Sequence, residues 1–329
     1  MTRDVSAGEP TIGVTGAAGY IGSRVVTLLQ DEHPTWTIVP IDNFYLGQVR
    51  SVGGLDIDYV DIRHRDRLED AFEGVDIILH LAAVSGVDDC SENPDLAYEV
   101  NVQGTDNVAW LARKTGAGLV FPFSMAVLGD PHEFPITVDH PRDPMNWYGR
   151  TKLLSETAIE GFAEGAFPAH MFLKSNLYGE HWVGDQRVSK GTVINFFVNR
   201  AFSPDPLTVY EPGTQARNFI HVKDVAEAYI RSAERLVEQL EAGETGTWKY
   251  EIASDQDRSI KSVAETVQEI VAEEADIETS VELVENPRGN ETLVDRFDVD
   301  TGKAKRELGW EATESIADSV RELVRQRID

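Results

Sequence analysis

The chain has 329 residues, 41% of them hydrophobic, which is enough for one large or two modest domains with a sizeable core. It carries 57 acidic against 30 basic residues, a net charge of -27 spread along its length, and this disfavours a nucleic-acid partner because little could neutralise phosphates over a surface. No run of about 18 apolar residues is present to span a membrane, residues 1–10 are polar and show no secretory signal, and the single cysteine, Cys90, cannot close an internal disulfide, so a reducing, cytoplasmic setting is expected.

The apolar run 12–14 leads into Thr15-Gly16-Ala17-Ala18-Gly19-Tyr20-Ile21-Gly22, and residues 23–29 follow with helical spacing. That order predicts a buried strand, a tight glycine turn and a helix. Such a turn lets the backbone approach a pyrophosphate, which the helix N-terminus attracts. Residues 35–41 form a second strand ending at Asp42-Asn43. A carboxylate at that tip accepts hydrogen bonds from an adenosine ribose and repels a 2′-phosphate, favouring NAD over NADP. A short third strand covers 57–60, and a fourth covers 75–81 and runs into Ala82-Ala83. Helical patterns cover 67–72 and, as one longer element, 93–114. Residues 119–124 read as a fifth strand, although Pro122 is awkward in a central one. A helix opens at Tyr148-Gly149-Arg150-Thr151-Lys152, and 169–173 is a sixth strand leading to Asn176. Residues 225–240, 262–275 and 314–327 read as helices. The alternation predicts an α/β fold, a Rossmann-type doubly wound parallel sheet covered on both faces. A first domain is expected over 1–176, with 215–240 returning to it, and a smaller C-terminal α/β substrate domain over 177–329.

Tyr148 and Lys152 are four residues apart at the start of a helix and so share a face. An ammonium beside a phenol is expected to lower its pKa, since the cation favours the phenolate. The phenol can then exchange a proton with a hydroxyl bound beside it. Ser124, at a strand end, can hydrogen-bond both partners. His33, His64, His132 and His140 fall in expected loops without ligand spacing, so no metal is expected. His80 reads as a packed strand-end residue, and Cys90 has no evident activating partner.

Taken together, Gly16–Gly22, Asp42-Asn43, Asp61-Ile62, His80–Ala83, Asn101, Ser124, Tyr148–Lys152, Asn176–Gly179, Arg217–Val222 and Glu307–Trp310 resemble the extended short-chain dehydrogenase/reductase family. Within it they are similar to the NAD-dependent nucleotide-sugar epimerases and dehydratases. The resemblance implies Ser124, Tyr148 and Lys152 as catalytic residues. It implies an NAD site of Gly16, Ala18, Gly19, Tyr20, Ile21, Gly22, Asp42, Asn43, Asp61, Ile62, Leu81, Ala82, Ala83, Asn101, Tyr148 and Lys152. Asp61 would bind the adenine amino group and Ile62 would pack on the ring. The nucleotide-sugar substrate would be gripped by Ser85, Ser124, Asn176, Arg217 and Arg288. A homodimer through the helices near 93–114 and 148–160 is also implied.

One departure bears on the reaction. The dehydratases usually follow the active-site serine or threonine with an acid and base pair, and decarboxylating relatives usually place a glutamate there. Here Met125 and Ala126 stand at those positions and cannot transfer protons. The expected activity is therefore a 4-epimerase of the UDP-glucose/UDP-galactose type, with a net sugar or sugar-phosphate dehydrogenase as the alternative. A dehydratase, a decarboxylase and a non-catalytic dinucleotide sensor rank below these.

Lysine supplies only nine of the 30 basic residues. Self-repulsion at this charge fades when the Debye length falls to about 3 Å in 1 M salt. The composition therefore suggests a salt-accumulating organism. The expected result is a higher melting temperature in molar KCl than in dilute buffer; equal values would remove the inference.

Overall fold

A computed structural model describes residues 9–287 and 292–328. Seven strands form its central sheet: β1 (Thr11–Thr15), β2 (Thr37–Asp42), β3 (Asp58–Tyr59), β4 (Ile77–His80), β5 (Gly118–Ser124), β6 (Pro168–Lys174) and β7 (Gly246–Ile252). Their order is β7-β6-β5-β4-β1-β2-β3, and every pairing is parallel. The order reverses between β1 and β4. In such sheets the crevice for a ligand opens there, beyond the C-terminal ends of the strands.

Strand side chains alternate between faces, and the core divides accordingly. Ile12 and Val14 of β1, with Ile77 and Leu79 of β4, pack with Val25, Val26 and Leu29 of α1 (Tyr20–Glu32). Val225, Tyr229 and Leu236 of a long helix, Val222–Ala242, complete that layer. Ile78, Leu119 and Phe121 turn to the opposite face. There they meet Leu68, Val108, Leu111 and Ile159 from helices Arg65–Ala71, Thr105–Thr115 and Trp147–Ala163. A third core gathers Phe197, Leu207, Val209, Val267 and Val320 from the C-terminal part of the chain.

The structure revises three expectations. The helix expected over 93–114 is a helix Pro94–Tyr98, a wider π-helical turn Glu99–Gly104, and a helix Thr105–Thr115. A helix Val87–Glu92 and strand β7 also stand where no element was expected. Pro122 does sit in a central strand. However, β4 stops pairing at Val120, so at Pro122 the ladder runs only on the β6 side and one missing N–H is tolerated.

His170 of β6 is fully buried and joins the sheet to helix Val222–Ala242. Its Nδ1 lies 2.6 Å from Ser232 Oγ and its Nε2 2.8 Å from Gln239 Oε1. Burial holds its pKa down at about 3. The unfolded chain protonates this residue near pH 6.5 and the folded chain does not, so the unfolded state binds more protons as pH falls and stability is lost. In urea unfolding from pH 7 to 4, the wild type should therefore lose about 1.4 kcal/mol per pH unit more than His170→Asn below pH 6.5. A gap that does not change with pH would show that His170 is not held neutral.

Candidate active site

One cleft of about 1220 Å³ follows the C-terminal ends of the sheet. The glycine turn after β1, Asp42-Asn43 after β2, Ile62-Arg63 after β3, Leu81–Ser85 after β4 and Ser124–Ala126 after β5 all line it. Asn176 and Arg217 come from the C-terminal part of the chain.

The turn is built for close approach. Gly16 has φ +71, and a Cβ there would stand 2.6 Å from the Ala82 nitrogen. A Cβ on Gly22 would stand 2.1 Å from the Gly16 carbonyl oxygen. Gly19 differs, since a Cβ there would meet only that same oxygen, at 3.2 Å, and otherwise project into open space. Gly19 caps α1 with no side-chain hydrogen bond, and the first turn holds no acidic residue. The helix therefore offers free N–H groups and a partial positive charge to an anion. This cradle fits the pyrophosphate of a dinucleotide.

Asp42 braces the cradle. Its Oδ2 accepts from the Ala18 N–H at 3.0 Å and its Oδ1 from the Phe44 N–H at 2.7 Å. Each carboxylate oxygen has a second lone pair, which leaves room for ribose hydroxyls. Tyr20 lines the cleft, but its hydroxyl donates to the Gly179 carbonyl at 2.7 Å and so ties the turn to the C-terminal part of the chain.

Helix Trp147–Ala163 starts where it does because Asn146 Oδ1 accepts from the Gly149 N–H at 2.9 Å. A Cβ on Gly149 would lie 2.3 Å from the Ala126 carbonyl oxygen, so only glycine lets this helix close on the loop after β5. That contact sets Tyr148 beside Ser124; burial raises the phenol's pKa, and the Ser124 hydroxyl draws it down against that effect. Ser124 Oγ also accepts from the Ala126 N–H at 3.2 Å. One helical turn on, the buried Lys152 donates to the Pro122 carbonyl at 3.2 Å. A hydroxyl pair, an ammonium and an anion cradle thus open into one crevice.

A family model described as the NAD dependent epimerase/dehydratase family matches residues 12–247. The chain belongs to that family. Its members are NAD-dependent enzymes. A UDP-glucose 4-epimerase of Dictyostelium discoideum is 29% identical over 347 residues, covering 95% of this chain and 94% of its own. UDP-glucuronic acid decarboxylase 6 of Arabidopsis thaliana is also 29% identical, covering 91% and 83%. The Thermus thermophilus UDP-glucose 4-epimerase in complex with NAD shares the fold, with a TM-score of 0.79 at 24% identity, covering 96% of this chain and 98% of its own.

Several expected roles need correction against the geometry of this epimerase/dehydratase chain. The phenol of Tyr148 is not depressed. Burial pushes it up to about 12, against the opposing hydrogen bond with Ser124. Burial also brings Lys152 down to about 8. Asp61 is taken up by its own neighbours: Arg63 Nη2 lies 2.8 Å from Oδ2, and Asn43 Nδ2 donates to the same oxygen at 3.1 Å. Burial raises the Asp61 pKa, but these bonds outweigh it and hold the carboxyl at about 2. Arg63, rather than Asp61, lines the cleft. Asn101 lies behind the wall. It accepts from the Val84 N–H at 2.9 Å and donates to the Val84 carbonyl at 2.9 Å, and so shapes the loop after β4.

Among the expected substrate residues, Asn176 donates to the Asn218 carbonyl at 3.1 Å, and Arg217 donates to the carbonyls of Ala216 and Thr292, each at 2.7 Å. Arg288 lies outside the described residues. His33 is not isolated: its ring, Glu32 and Glu234 bring their ligand atoms within 4.8 Å of one another. Arg231 bonds both carboxylates, at 3.1 and 3.0 Å, and already supplies a cation to that cluster. Two contributions went unremarked in the sequence: Asn146 carries the ordinary mark of a helix cap, and Gly149, quoted only as part of the Tyr148–Lys152 stretch, marks the close approach.

Proposed function

We propose that this enzyme is a nucleotide-sugar 4-epimerase of the UDP-glucose/UDP-galactose type, acting through transient oxidation of the sugar 4-hydroxyl. NAD, when bound, supplies a reversible hydride acceptor, held by the glycine turn, Asp42 and the Leu81–Ala83 edge. Tyr148 holds the proton exchanged with the sugar hydroxyl at its phenolic oxygen, and Ser124 orients both oxygens. Lys152 places a positive charge one helical turn away, which favours the phenolate that then accepts the proton from the sugar hydroxyl.

The observation that carries this reading is the wall beside Ser124. Met125 and Ala126 line the cleft there, and neither can act as the acid or base that dehydration requires. The proton chemistry is confined to the hydroxyl that is oxidised and restored. The relatives named UDP-glucose 4-epimerase support the same assignment.

The test is incubation with UDP-galactose and no added NAD. Interconversion with UDP-glucose is expected, at equilibrium and without accumulating NADH. Continuous NADH formation that consumes added NAD would overturn the epimerase and leave a net dehydrogenase.

A further inference from the structure

Three of the nine lysines of this acidic chain line the same cleft. Lys152 belongs to the proposed catalytic set; Lys174 and Lys190 do not. Lys174 ends β6 and is paired in register with Ser124 at the end of β5. Directly paired residues of neighbouring strands point to the same face, so Lys174 stands beside the serine. Lys190 lines the same cleft beside the loop after β4. Its Nζ donates to the Ser85 carbonyl at 3.1 Å and bonds the Ser85 hydroxyl.

Neither ammonium has a carboxylate within ion-pair distance among the described residues; Asp89 acts on Lys190 only from farther away. Lys174 donates only to the Ser175 carbonyl, at 3.4 Å. Burial draws Lys174 down to about 7, with Lys190 and Lys152 adding repulsion. Two further groups point the same way. Ser175 Oγ, on a residue only 3% exposed, and Thr192 Oγ1 are buried without a hydrogen-bond partner, and both residues line the cleft. Buried like charges and unused hydroxyls are costly unless an anion settles among them.

We propose that Lys174 and Lys190 bind a carboxylate on the sugar, so that the enzyme prefers nucleotide-linked hexuronic acids to neutral hexoses. This rests on the nucleotide-sugar reading of the cleft. In a hexuronic acid the carboxylate is carried by the carbon next to the one bearing the 4-hydroxyl. With that hydroxyl presented to Tyr148 and Ser124 and the carboxylate-bearing carbon turned toward β6, the carboxylate comes within reach of Lys174, the residue beside Ser124. The cofactor pyrophosphate has its own place at the glycine turn, and Arg217, on the C-terminal part of the chain, also lines the cleft and offers the substrate diphosphate a cation.

The test compares UDP-glucuronate, UDP-galacturonate, UDP-glucose, UDP-galactose and UDP in binding and turnover. The wild type should bind the uronates at least about tenfold more tightly than the neutral sugars, the scale of one charge-assisted hydrogen bond. Lys174→Met and Lys190→Met should each lower the uronate-to-neutral ratio of kcat/KM at least about tenfold, and arginine at either position should restore part of it. Equal or better binding of neutral sugars by the wild type overturns the proposal, and epimerisation of those sugars would leave the functional reading intact. Uronates bound in preference but never epimerised would sustain the proposal and end the epimerase reading. If both methionine variants weaken UDP as much as UDP-glucuronate, the lysines serve the diphosphate and the proposal falls.

Discussion

Tyr148→Phe should lower kcat about 10²–10⁴-fold, the worth of one positioned proton donor or acceptor, with little change in melting temperature. The ring is half-buried and packs against the core shared by the sheet and helix Trp147–Ala163. Phenylalanine keeps that packing and removes only the oxygen. Burial holds the phenol up at about 12, so near neutral pH it stands protonated and ready to donate. Accepting a proton from the sugar first requires the phenolate, which a nearby positive charge must favour. A Lys152→Met variant should therefore also lose turnover, and its loss should ease as pH rises. Turnover of Tyr148→Phe within threefold of wild type would remove Tyr148 from the mechanism.

Glu156→Ala should cost roughly 3 kcal/mol, the lower end for breaking a buried ion pair. Glu156 is 2% exposed on the helix that carries Tyr148. Its Oε1 lies 2.8 Å from Arg142 Nη2 and 2.5 Å from Lys249 Nζ, the latter on β7. Truncation strands two cations that retain little solvent. The cost is held to the lower end because Lys249 keeps Glu160 at 2.7 Å. With an unfolding entropy of about 2.1 cal/mol/K per residue, the melting temperature should fall by about 4 °C. Calorimetry showing a shift below 1 °C would mean that the pair contributes nothing net.

The parts of the fold legible in the sequence are those where one local rule suffices. Short apolar runs ending in a glycine turn and in Ala82-Ala83 marked β1 and β4, and the spacing of Tyr148 and Lys152 placed them on one face. β7 was hidden because Lys249 and Glu251 interrupt its apolar run. One of them pairs with Glu156, and the other accepts from the Val138 N–H at 2.6 Å, partners about 100 residues away. The π-helical turn was invisible because it only widens a pattern that stays amphipathic. The occupation of Asp61 could have been read, since Arg63 lies two residues on, within reach of its own neighbour. That Lys174 and Lys190 open into one cleft could not, because a strand end and a distant loop come to the same crevice only once the sheet exists.

The return of the chain to the sheet governs how the protein can be made. A gene fragment ending at residue 176 would encode six of the seven strands. It would lack helix Val222–Ala242, whose Val225, Tyr229 and Leu236 share the core with Ile12, Leu79 and Val120. It would also leave β6 as an open edge, the situation that invites aggregation. A nascent polypeptide must therefore emerge from the ribosome to about residue 242 before its first strand is covered, and to about residue 252 before β6 gains its partner, so a fragment ending at 176 should not fold as an independent piece.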